Sequence, residues 1–193
     1  MAGDPVARDT VAGDTADGDP VGRARQICLN QLEYSPRTRS ELASTLRKKG
    51  VEDDVAEQVL SRFTEVGMID DALFAQMWVG SRRRSKGLAS RAIGQELRRK
   101  GVDDELIAGA LATLEPESEV ATARALVERK LHTTRALAPE VRVRRLAAML
   151  ARKGYPAGTA FRVVRDALAA ESLSGEGDDL LLGERLYDEL DPG

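Results

Sequence analysis

The chain has 193 residues, 42% of them hydrophobic but only 4% aromatic, which allows one or two domains with cores of Leu, Val and Ala. A single cysteine excludes an internal disulfide framework, and no apolar run approaches the roughly 18–20 residues of a membrane span. The net charge of −3 hides an asymmetry: residues 1–22 hold five Asp against one Arg, 172–193 hold seven acidic residues against one Arg, and 23–171 carry 27 Lys+Arg against 20 Asp+Glu. A basic centre between acidic ends points to an anionic partner, either nucleic acid or an acidic protein surface, unless the Arg-rich helices are simply well solvated.

Residues 1–22, rich in Asp, Gly, Ala and Thr, read as a disordered acidic tail and lack the basic and apolar regions of a signal peptide. A first helix is expected over about 22–33, with Ile27, Cys28 and Leu32 facing inward and Cys28 acting as a small core residue. Ser35-Pro36-Arg37 breaks it. Thr38 and Glu41 have the spacing of a capping box that opens a second helix. A third covers about 53–65, and Gly67 stops it.

Asp70 or Asp71 then caps a helix to about Arg83, whose Leu73, Phe74, Met77 and Trp78 predict one broad buried stripe. Further helices are expected over 88–100 and 103–114, from Pro116 to about Leu131, from Pro139 onward, and over 157–171. Residues 172–193 read as a second, mostly disordered acidic tail.

One phrase punctuates this series three times. Leu46-Arg47-Lys48-Lys49-Gly50-Val51, Leu97-Arg98-Arg99-Lys100-Gly101-Val102 and Leu150-Ala151-Arg152-Lys153-Gly154-Tyr155 place their glycines 51 and 53 residues apart. In each copy two leucine-type residues four apart share a face: Leu42 and Leu46, Ile93 and Leu97, Leu146 and Leu150. Cations in the last turn complement the helix dipole, and the glycine supplies a left-handed residue beyond it. The apolar sets that follow are Val55, Val59 and Phe63; Leu106, Ala110 and Leu114; and Thr159, Val163 and Ala167. Three copies in one register predict an all-α fold of three tandem three-helix repeats, over 23–69, 70–115 and 116–171.

No nucleophile elbow, phosphate-cradling loop or zinc spacing is present. His132 has no ligand cluster around it. Catalytic, metal and cofactor sites are therefore expected to be absent, and the chain is read as a non-enzyme. The candidate binding residues are cationic. Arg82, Arg83, Arg84, Lys86 and Arg91, with Arg98, Arg99 and Lys100, form a central basic set. Arg142, Arg144, Arg145, Arg152 and Lys153 form a second. Guanidinium pairs with carboxylate and phosphate alike, so the clusters do not choose between protein and DNA. Reversing Arg82, Arg83 and Arg84 to Glu is expected to cost binding and little helicity.

The phrase Met68-Ile69-Asp70-Asp71-Ala72-Leu73-Phe74-Ala75, with Trp78, the Arg cluster, Gly87, Ile93, Glu96-Leu97 and Lys100-Gly101-Val102, resembles the RecX family. The flanking repeats extend the resemblance over about 23–171. It implies a curved, elongated array of three repeats that binds RecA, as monomer and as filament on single-stranded DNA. It further implies inhibition of RecA ATPase, strand exchange and coprotease activity, in the regulation of DNA repair and the SOS response. A cytoplasmic monomer is expected; single- or double-stranded DNA as a direct ligand is left open. The competing reading is a helix-turn-helix DNA-binding regulator, which uses the same short turns and basic helices.

Overall fold

The computed structural model describes residues 18–188, with side chains there except for Pro116 and 174–188. The expectations for the two extreme ends, 1–17 and 189–193, lie outside the described residues. Nine α-helices and no strand are found among the described residues. The chain divides into two compact units, with the division between Phe74 and Ala75.

In the first unit, α1 (Pro20–Tyr34), α2 (Arg39–Lys48) and α3 (Asp53–Glu65) enclose a core of Cys28, Leu42, Leu46, Val59, Leu60 and Phe63. α1 starts two residues before expectation, capped by Asp19, which accepts the Gly22 N–H at 2.8 Å. The capping box at α2 is complete: Thr38 Oγ1 accepts the Glu41 N–H at 3.1 Å, and the Thr38 N–H donates to Glu41 Oε2 at 3.2 Å. Cys28 is fully buried, and that burial pushes its thiol up to about 11, so it packs as a hydrophobe and is not a nucleophile.

α4 (Asp71–Lys86) is capped by Asp70, whose carboxylate accepts the Leu73 N–H at 2.8 Å. Asp71 reaches the start of α2, accepting the Arg39 N–H at 3.0 Å. The predicted stripe on α4 needs correction. Phe74, Ala75 and Val79 are buried, whereas Leu73 and Met77 are about half exposed, at 49% and 47%. The buried face lies one position further along the helix, on Phe74, Ala75 and Val79.

The second unit continues with α5 (Ser90–Arg99) and α6 (Asp104–Ala112), then α7 (Pro116–Leu131), α8 (Pro139–Arg152) and α9 (Ala157–Asp188). A short 3-10 turn at His132–Thr134 leads from α7 towards α8. Ile93, Leu97, Ile107 and Ala110 are buried as a group of inward faces. On α6, Leu106 is 36% exposed and Ile107 takes the inward place expected of it. Val127, Leu146, Leu150, Tyr155, Val163 and Val164 belong to the core around α7, α8 and α9. The backbone of α9 does not stop near Glu171 but stays helical to Asp188.

The repeated phrase folds identically three times. Val51, Val102 and Tyr155 donate their N–H groups to Leu46, Leu97 and Leu150 C=O at 3.1, 3.2 and 3.2 Å. Gly50, Gly101 and Gly154 donate to Arg47, Arg98 and Ala151. This pair of bonds is the Schellman motif, and the glycines hold φ of 72°, 74° and 91°.

Repeat three is tied to repeat two inside the second unit. The Ala89 N–H donates to Lys153 C=O at 2.9 Å, and the buried Tyr155 hydroxyl donates to Gly87 C=O at 3.1 Å. Burial pushes that phenol up to about 12, so it remains a donor throughout the physiological range.

Candidate functional site

The central basic set does not form one surface. Arg82 is taken up by the fold: its guanidinium lies 3.7 Å from the centre of the Trp78 ring, and its Nε donates to Glu96 Oε2 at 2.7 Å. Trp78 Nε1 donates to the same oxygen at 3.0 Å, and Lys100 Nζ lies 4.4 Å from the ring centre. Burial pushes the Glu96 carboxyl up, but the hydrogen bonds from Arg82 and Trp78 and the charges of Arg82 and Lys86 outweigh it and hold it below its ordinary value. Trp78 is thus a half-buried packing residue beneath cations.

Arg83 is also internal. Its side chain is only 10% exposed, lies 3.7 Å from Glu119 and donates to Ser118 Oγ at 3.2 Å. The same Glu119 accepts the Ser90 hydroxyl at 2.5 Å, so Arg83 and Ser90 share one carboxylate on α7. Arg98 pairs with Asp104 at 2.6 Å, and Arg99 Nε donates to Gln95 C=O at 3.2 Å. Arg91 is exposed. Since Arg82 and Arg83 hold elements together, reversing them with Arg84 should cost stability as well as any binding.

The second set separates in the same way. Arg142 is structural: its guanidinium donates to Thr134 Oγ1 at 3.2 Å, to Leu131 C=O at 3.2 Å and to Glu171 at 2.6 Å. Arg144 and Arg145 are exposed on α8.

What the structure does bring together is the end of each set. The C-terminal turns of α4 and α8 meet the flank of α7, from Thr122 to Arg129, around a hollow of about 640 Å³. Arg83, Arg84 and Lys86 line it from α4, Arg129 from α7, and Arg152 and Lys153 from the end of α8; no Asp or Glu lines it. Leu88, Leu126 and Met149 supply its apolar wall. Lys153 Nζ donates to Lys86 C=O at 2.5 Å, fastening the two helix ends. Arg129 escaped the sequence reading because Arg129-Lys130, in a last helical turn, looks like ordinary dipole complementation.

That ordinary role can be weighed. The C-termini of α4 and α8 present about half a negative charge each, so together they call for roughly one cation. Glu119 neutralises Arg83. Six lining cations therefore leave a surplus of about four positive charges. Arg84, Lys86, Arg129 and Arg152 are the exposed members. Among the described residues, no group of three or more His, Cys, Asp or Glu is placed to hold a metal ion.

Comparison with known proteins agrees with the three-part architecture. The models describing the first, second and third three-helix domains of RecX match residues 24–63, 70–111 and 117–164. The chain belongs to the RecX family. It is 55% identical over 163 residues to the regulatory protein RecX of Streptomyces coelicolor, covering 83% of this chain and 87% of that one. It is 52% identical over 161 residues to that of Thermobifida fusca, again covering 83% and 87%. With the RecX of Mycolicibacterium smegmatis it shares 48% over 169 residues, covering 82% and 90%. The fold is that of a crystal structure of RecX from Lactobacillus salivarius, with a TM-score of 0.71 at 20% identity, covering 77% of this chain and 96% of that one. These relatives carry the name of regulatory proteins, and the role of this RecX chain is regulatory. No helix among the described residues is long and apolar enough to cross a membrane.

Proposed function

We propose that this chain is a regulator of RecA that binds the recombinase, as monomer and as filament on single-stranded DNA, and inhibits its ATPase, strand exchange and coprotease activities. It acts as a cytoplasmic monomer by steric and electrostatic means, without covalent chemistry. The observation that carries this reading is the presence of all three RecX domains in order over 24–164. The surplus of exposed cations where α4, α7 and α8 meet supports an anionic partner. Within the predicted basic sets, Arg84, Lys86 and Arg152 are best placed to meet that partner, joined by Arg129. Arg82, Arg83 and Arg142 serve the fold.

Retention on beads tests the reading. RecA filaments are assembled on biotinylated single-stranded DNA, and the chain is added at near-physiological salt. Retention that rises with RecA coverage, well above bare DNA, is the expected result. Retention that falls as RecA covers the DNA would overturn it.

A further inference from the structure

We infer that the hollow between the C-terminal ends of α4 and α8 and the flank of α7 is a cradle for the phosphodiester backbone of single-stranded DNA, gripping it independently of sequence. The inference deepens the proposed function and rests on it only for the identity of the strand as the DNA of the RecA filament.

Charge comes first. Six cations and no carboxylate line the hollow, and the two helix ends together with Glu119 account for about two of them. Arg83 belongs to the wall of the hollow and not to the surplus. Its side chain is nine-tenths buried in the wall, yet its Nη1 has no hydrogen-bond partner and only a 3.7 Å approach to Glu119.

Shape and lining select the ligand. The site is concave, whereas proteins that read duplex DNA usually insert a projecting helix or ribbon into its groove. A single flexible strand can enter a concavity of this size. No aromatic residue lines it, so bases have no stacking platform there, and the contact falls on phosphates. Leu88, Leu126 and Met149 offer apolar contact to sugars without reading base edges. Lys153 is spent on Lys86 C=O, leaving Arg84, Lys86, Arg129 and Arg152 as the gripping groups.

The test is fluorescence anisotropy of a labelled oligothymidylate titrated with the full chain. Wild type is compared with Arg129→Glu/Arg152→Glu and with a control, Arg162→Glu/Arg165→Glu, whose side chains are exposed on α9 outside the hollow. The groove variant should bind at least about tenfold more weakly, and its slope of log K against log salt should be shallower by about 1.4, or about 0.7 per lost phosphate contact. The control should change affinity less than about threefold, with unchanged circular dichroism in both variants. Equal losses in the two variants, or no loss in the groove variant, would overturn the site. Tighter binding of a duplex of the same length, or displacement of the strand by polyglutamate at equal charge, would overturn the ligand. Wild type that binds the strand but leaves RecA filaments untouched would uphold the cradle while refuting the proposed function.

Discussion

Replacing Gly154 by alanine probes the joint between the second and third repeats at one atom. Two costs add. Gly154 holds φ 91°, a left-handed conformation in which a side chain costs roughly 1–2 kcal/mol. The added Cβ would also stand 2.6 Å from Ala92 Cβ and 2.8 Å from the Ala92 backbone nitrogen. That neighbour is helix backbone, which cannot swing aside, so an overpacking cost of about 1–3 kcal/mol follows. The expected loss is about 2–5 kcal/mol. Gly50 is the internal reference: it holds φ 72° in the same motif, with nothing within 4 Å of its would-be Cβ, so Gly50→Ala should cost only the conformational part, about 1–2 kcal/mol. Urea unfolding supplies the assay. Circular dichroism follows both variants, and the single Trp78 reports the second unit, which contains Gly154. A Gly154→Ala loss no larger than that of Gly50→Ala would show that the two repeats are not pressed together at Ala92.

Three other outcomes follow from the packing and the charges. Leu97→Ala, at a fully buried position, should lower stability by about 2–5 kcal/mol in the same unfolding assay. Arg82→Ala removes the charged hydrogen bond to Glu96 and the cover over Trp78, both partners being about one-fifth exposed; a loss of about 1.5–3 kcal/mol and an altered Trp78 emission spectrum are expected. The hydrogen bonds of Arg135 and Arg142 hold the Glu171 carboxyl below its ordinary value of 4.5. Its folded value is depressed, so its stabilisation is fully present above that ordinary value and is lost as pH falls through the folded one. Glu171→Gln should therefore destabilise the chain at neutral pH and flatten the acid limb of its stability curve, which thermal unfolding across pH would register.

The turns were the most legible part of the chain, because the Schellman motif is local. Leu46, Gly50 and Val51 carry in six residues every bond that the motif makes, and their two later copies fold alike. The capping box of Thr38 and Glu41 was legible for the same reason. Inward faces were harder where apolar residues are adjacent. On α4 the sequence Leu73-Phe74-Ala75 offers two stripes, and the one that packing buries, through Phe74, Ala75 and Val79, leaves Leu73 out. Leu106 and Ile107 pose the same choice on α6. The extension of α9 beyond Glu171 runs against an acidic, glycine-bearing stretch that local propensity disfavours.

The candidate site was legible as charge and not as geometry. Arg82 finds Glu96 fourteen residues on, Arg83 finds Glu119 thirty-six residues on, and Arg142 finds Glu171 twenty-nine residues on. Such partners appear only when helices pack, and they removed these arginines from the predicted surface. The converse holds for Arg129, which reads as a helix-end cation in sequence and becomes part of a shared hollow only when α4 and α8 end beside α7.

The measurement closest to the central claim is RecA ATPase on single-stranded DNA, titrated with this chain at near-physiological salt. ATP hydrolysis should fall at substoichiometric chain, and the Arg129→Glu/Arg152→Glu variant should inhibit less well than wild type. An ATPase rate unchanged up to equimolar chain would contradict the claim.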